Sequence, residues 1–206
     1  MKMTTRSFYS YVPCALLILA AACGDPEGEA EHDHEHDEQE VITSTLLTFT
    51  PDGEGDTVLA EFRDIDGDGG DDPIIVDPTL MANTTYGVSV SILNETLDPS
   101  DEDYNIDREI EAEAEEHQLF YTGDGIENGL FTWMTTDRES DYTENSGEDL
   151  PVGLSGVLTT GDSGRGKLTV TLMHQPPVNG MAVKTATSGV RDGEVDVTVT
   201  FDVIVE

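Results

Sequence analysis

Glu194-Val195-Asp196-Val197-Thr198-Val199-Thr200-Phe201-Asp202-Val203-Ile204-Val205 alternates apolar and polar side chains almost without interruption. Successive side chains of a strand point to opposite faces, so this stretch predicts one apolar face built from Val195, Val197, Val199, Phe201, Val203 and Val205. The opposite face carries Asp196, Thr198, Thr200, Asp202 and Ile204. Similar runs rich in Val, Ile, Leu, Thr and aromatics predict strands at 43–50, 57–62, 86–94, 130–136, 152–160 and 167–174. Gly, Asn and Asp clusters punctuate them, among them Pro51-Asp52-Gly53-Glu54-Gly55, Thr122-Gly123-Asp124-Gly125 and Gly161-Asp162-Ser163-Gly164. Seven or more short strands between such turns predict a mainly β fold, an antiparallel β-sandwich that is loosely immunoglobulin-like. Trp133, Phe120 and Tyr121 are the expected core aromatics. The 166 residues of 41–206 suffice for a single β-sandwich domain with a sizeable core.

One segment departs from the period of two. The Ala and Glu content between Pro99 and Phe120 predicts one short acidic helix over 105–117, with Asn105 as cap and Asp107 and Glu109 in the first turn. Ile106 and Ile110 would anchor it, and Glu109, Glu113, Glu116 and His117 would share a face. Read as a strand, the same residues would still surround His117 with carboxylates. The segment is either an exposed acidic helix ending in a dipole-favoured histidine or part of a metal site. His174 ends the 167–174 strand at Leu172-Met173-His174-Gln175. If its strand neighbours that of His117, the two histidines with Glu113 or Glu116 give a zinc- or copper-type donor set.

The N-terminus has a different character. Lys2 and Arg6 precede an apolar stretch from Val12 to Ala22, the pattern of a secretory signal and too short for a mature membrane span of roughly 20 apolar residues. Leu19-Ala20-Ala21-Ala22-Cys23-Gly24 resembles the lipobox of bacterial lipoproteins, with Ala20 where a large aliphatic residue is usual. That resemblance implies a lipoprotein signal peptide at 1–22 and lipidation at Cys23, hence an outer-membrane lipoprotein facing the periplasm or the cell surface. The two cysteines, Cys14 and Cys23, both lie in this region, so no disulfide is expected in the mature chain.

Residues 23–40 hold almost nothing apolar and alternate acidic residues with Gly, Pro, Ala and histidine, which predicts a solvated, disordered tether. Within it, His32-Asp33-His34-Glu35-His36-Asp37-Glu38 places three of the five histidines of the chain in five positions. Imidazole and carboxylate both ligate borderline divalent ions, so His32, His34 and His36 are candidate zinc ligands, with a solubilising spacer as the plainer reading. A third candidate is Asp64-Ile65-Asp66-Gly67-Asp68-Gly69-Gly70-Asp71-Asp72. Its start matches half of a calcium loop, but Ile75 stands where a bidentate glutamate belongs. It is either a calcium-binding turn using Asp64, Asp66, Asp68 and Asp71, or a hairpin turn of residues that tolerate positive φ.

The lipobox and acidic histidine tether, Val41-Ile42-Thr43-Ser44 at the first strand, Phe62-Arg63-Asp64-Ile65-Asp66-Gly67-Asp68-Gly69-Gly70, Ala82-Asn83-Thr84-Thr85-Tyr86, Leu93-Asn94-Glu95-Thr96, Glu115-Glu116-His117-Gln118-Leu119-Phe120 and Leu172-Met173-His174-Gln175 together carry a family resemblance. In them the chain resembles a family of small bacterial outer-membrane lipoproteins automatically labelled "type 1 periplasmic binding fold superfamily". The resemblance implies an exported, anchored protein in which Glu116, His117 and His174 belong to the recurring pattern. The α/β receptor fold suggested by that label does not match a strand-rich chain of this size.

From Cys23 onward all 44 acidic residues remain against seven of the nine basic ones, a formal charge of −37 with histidines neutral. Such a surface concentrates cations and repels nucleic acid. No nucleophile motif, phosphate-cradling loop, CxxC or HExxH is present, and a non-enzymatic protein is expected. The reading that gathers these features is a lipoprotein that binds zinc or another divalent transition metal and hands it to an outer-membrane transporter. A calcium-stabilised structural or adhesive surface module is the alternative.

Overall fold

Alternation in the sequence becomes two sheets. The computed structural model describes residues 40–67, 70–144 and 148–206, and all statements of structure concern these. The first sheet has the order β3-β2-β1-β5-β8-β7 and is antiparallel throughout. It comprises β1 (Ser44–Pro51), β2 (Val58–Arg63), β3 (Ile74–Val76), β5 (Thr85–Leu93), β7 (Phe131–Thr135) and β8 (Ser155–Thr160). The second has the order β4-β10-β9-β6, from β4 (Thr79–Leu80), β6 (His117–Thr122), β9 (Gly164–His174) and β10 (Glu194–Val205). Only β4 runs parallel to its neighbour, β10.

The core lies between the inward faces. Leu47 and Phe49 of β1, Tyr86, Val88, Val90 and Ile92 of β5, Leu168, Val170 and Leu172 of β9, and Val199, Phe201, Val203 and Val205 of β10 are buried together. The fully buried aromatics are Phe49, Tyr86, Phe131 and Phe201, not the three expected. Tyr121 and Trp133 are partly buried and stack on each other with centroids 3.6 Å apart, while Phe120 is half-buried on the outward side of β6. Period alone cannot say which aromatic lies near the middle of the sandwich.

Two further departures shape the site. The acidic helix is shorter than expected: α1 spans Asp107–Ala112, a 3₁₀ turn at Glu102–Tyr104 precedes it, and His117 opens strand β6. Its ends explain this. Asp107 ties α1 to β5 by accepting from the Ile92 backbone N–H at 2.6 Å and the Ser91 hydroxyl at 2.9 Å, and Ile106 and Ile110 are buried. Beyond Ala112 a longer helix would stack Glu109 on Glu113 and Glu111 on Glu115, like charges four residues apart, whereas strand conformation pairs His117–Thr122 with β9. The second departure is in β10. Its register against β9 shifts between Val195 and Val197, so Asp196 is the extra residue of a β-bulge. Val195 is exposed and Asp196 is half-buried, the inverse of the strict alternation.

A short helix α2 (Asp124–Glu127) closes the turn after β6. No helix among the described residues is long and apolar enough to cross a membrane. Cys23 and the histidines of the acidic segment, His32, His34 and His36, lie outside the described residues.

Candidate metal centre

Strand pairing brings the two domain histidines together. β6 and β9 are antiparallel neighbours with His117 opposite His174, and both side chains point inward at one end of the sandwich. Directly opposed residues on one face of such a pair are in contact range. Here the imidazoles stack, with centroids 4.5 Å apart and planes only 4° from parallel. The turn that follows α1 adds Glu113. One donor atom from each of Glu113, His117 and His174 falls within 4.8 Å of the others.

The surroundings are carboxylate-rich. Glu113 Oε2 lies 4.0 Å from His117 Nδ1, and Glu40 Oε1 lies 3.4 Å from His117 Nε2. On the other ring, His174 Nε2 is 3.7 Å from Glu116 Oε2. None of these contacts satisfies the Nε2 atoms: both are buried without a hydrogen-bond partner among the described residues, as are Glu40 Oε2 and Asp196 Oδ2. The His117 side chain is fully buried, while those of His174 and Glu116 keep 20% and 23% exposure, so the centre is closed on one side and reachable from the other.

Electrostatics differ between the two rings. Burial pulls the His117 pKa down, but contact with Glu40 and the charges of Glu40 and Asp196 outweigh it and leave it above its ordinary value of 6.5. His174 falls below that value, through burial and then through the neighbouring His117. Asp196 is pushed up to about 7, first by burial and next by Glu40, against the opposing pull of His117, with Glu194 and Glu109 adding to the rise. Glu109 is raised as well, by burial and then by Glu40 and Glu113. Crowded carboxylates of this kind are what a bound cation relieves.

The supporting residues are equally specific. Lys184, buried at 3% exposure, donates to the Ala114 carbonyl at 2.6 Å and pairs with Glu139 Oε1 at 2.9 Å. It thereby pins the turn that carries Glu113 and Glu116. Gln175 N donates to the Glu116 carbonyl at 2.6 Å, fastening the same turn to the residue after His174. His117 Nδ1 sits 3.3 Å from the Glu113 carbonyl, an arrangement in which Nδ1 donates and Nε2 keeps the lone pair. The parallel planes constrain chemistry too: in-plane lone pairs of stacked rings do not converge, so one ion shared by both imidazoles requires one ring to turn.

Of the expected residues, Glu113, Glu116, His117 and His174 therefore come together. Glu109 stands near them, as the shared face predicts, whereas Glu40, Asp196 and Lys184 were not foreseen. Asp196 carried no sequence signal because alternation placed it on the outward face, and Glu40 reads as one more acidic residue of the tether.

The described part of the aspartate-rich stretch, 64–67 and 70–72, lies between β2 and β3, and Asp64 N donates to the Thr43 carbonyl at 2.7 Å. Asp64 Oδ1 accepts from Gly67 N at 2.9 Å and Asp66 Oδ2 from Asp71 N at 2.8 Å, with Gly67 at φ +66°. Both carboxylates hold the turn, as Asx residues do. Asp71 contributes its backbone N–H to that closure, and Asp68 lies outside the described residues. Compared with protein-family models and with curated proteins, the chain matches none.

Proposed function

We propose that this protein is a non-enzymatic, metal-binding lipoprotein that takes a divalent transition ion, zinc foremost, at Glu113, His117 and His174. The observation that carries this reading is the approach of three donor atoms, two from the α1–β6 turn and one from the end of β9, to within 4.8 Å. Two imidazoles and one carboxylate form a donor set suited to zinc, with a coordination position left for water or an incoming ligand. Lys184 and the Glu113 carbonyl supply the orienting contacts that such ligands need.

The exported setting rests on the resemblance of Leu19-Ala20-Ala21-Ala22-Cys23-Gly24 to a lipobox. Cys23 anchors the chain at the outer membrane, and His32, His34 and His36 collect ions and pass them to the domain. His36 stands four residues before Glu40 in the sequence, and Glu40 Oε1 lies 3.4 Å from His117 Nε2. An outer-membrane transporter is the recipient in this scheme.

Calorimetric titration of the full chain with zinc near pH 7.5 tests the reading. Micromolar or tighter binding is expected, weakened at least tenfold by Glu113→Gln or His174→Ala. Replacing His32, His34 and His36 together by alanine is expected to remove the tether's share only. No zinc binding at micromolar concentration overturns the proposal, and a calcium-dependent rise in melting temperature without a zinc response would support the structural module instead.

A further inference from the structure

Each imidazole of the centre has its own carboxylates. His174 Nε2 lies beside Glu116 at 3.7 Å and feels the charge of Glu113. His117 Nε2 lies beside Glu40 at 3.4 Å and feels the charge of Asp196. On this second side, His117 Nε2, Glu40 Oε2 and Asp196 Oδ2 are all buried without hydrogen-bond partners among the described residues. A buried polar atom left unpaired is costly, and two carboxylates facing one another cost more. The unpartnered imidazole is itself fully buried and directed at Glu40, while its Nδ1 is engaged with the Glu113 carbonyl. The β-bulge of β10 is what turns Asp196 toward this pocket.

We propose that the centre holds two divalent cations, the second bound by His117 Nε2, Glu40 and Asp196 beside a first bound by His174, Glu113 and Glu116. This rests on the metal reading above and redistributes its ligands, one imidazole to each ion. Stacked rings at 4° can each face a separate ion without turning. Four carboxylates and two neutral imidazoles carry four negative charges, which two dications balance. One nitrogen and two carboxylates per ion suit borderline first-row cations, zinc, manganese or ferrous iron among them.

The test counts ions. The full chain carrying His32→Ala, His34→Ala and His36→Ala, which silences the tether, is loaded with zinc, desalted and assayed for metal per chain. Two equivalents are expected. One equivalent overturns the two-ion centre and leaves the single-ion reading standing, whereas none overturns both. Glu40→Gln with Asp196→Asn, which keep side-chain volume, is expected to leave one equivalent, as is Glu113→Gln with Glu116→Gln. Retention of two by the first pair overturns the assignment of those ligands, as does loss of both while circular dichroism shows the fold intact. Cobalt titration of the tether-silenced chain gives a readout independent of those variants. Two successive steps of visible absorption are expected, and a single step complete at one equivalent overturns the proposal.

Discussion

At the residue scale, the centre is a contest between burial and charge, and Asp196 shows it most plainly. With its carboxyl pushed up to about 7 by burial and by Glu40, Glu194 and Glu109, it binds a proton in the folded metal-free protein at pH values where the unfolded chain has lost it. Its contribution to stability is therefore present at low pH and lost as pH rises from about 4 toward 7. His117, also raised, adds in the same direction through its own range, favouring the fold below about 6.5 and ceasing to do so as pH passes its folded value. His174, lowered, opposes it across the same region. The metal-free protein is expected to show this local loss of stability between about pH 4 and 7, relative to an Asp196→Asn variant, whose melting temperature lacks the Asp196 component. Saturating zinc is expected to reverse it, because binding requires the deprotonated ligands that high pH supplies. For the same reason zinc affinity falls on acidification, and His117 makes that fall begin above 6.5. Calorimetry across the range checks the sign, and a zinc affinity unchanged from pH 8 to 5.5 contradicts it.

At the element scale, two short pieces of backbone decide what the centre contains. One is the turn from α1 into β6, which supplies Glu113, Glu116 and His117 within five residues and is fixed by Lys184 on Ala114. Burial lowers the Lys184 pKa and Glu139 opposes that, so the ammonium depends on its partner. Breaking such a pair by removing one member costs about 3–5 kcal/mol. Lys184→Met is expected to destabilise by that amount in denaturant unfolding, and the double change Lys184→Met with Glu139→Leu to recover part of it. The single variant is also expected to weaken zinc binding tenfold or more, as loss of an orienting contact does. The second piece is the β10 bulge. The sequence made the strand legible from Glu194 to Val205, and its bounds agree with the structure. What it hid was the extra residue, since a bulge depends on how β9 faces β10 and leaves no fixed mark in an alternating run. The expected helix over 105–117 failed at its C-terminal half for a related reason: local propensity favoured helix, and the ladder with β9 outweighed it.

At the scale of the whole molecule, two sheets close on one apolar core, and the full chain carries a formal charge of −35. Phe201, fully buried between the sheets, is a central member, and Phe201→Ala is expected to cost about 3–5 kcal/mol in chemical denaturation. That excess of acidic groups repels itself, so the melting temperature is expected to rise as sodium chloride is raised from low to physiological ionic strength, where the Debye length shrinks to about 8 Å. By itself the sequence determined the β-sandwich class, most strand positions, the acidic surface and the residue types Glu113, Glu116, His117 and His174. Those features are written in composition and in a two-residue period that any half-buried strand must keep. Only the tertiary structure decided that His117 and His174 stack, that Glu40 and Asp196 join them, and that a lysine 70 residues away from Ala114 holds the turn in place. Each of these depends on which strands become neighbours and in what register, and that is settled by packing across the whole core.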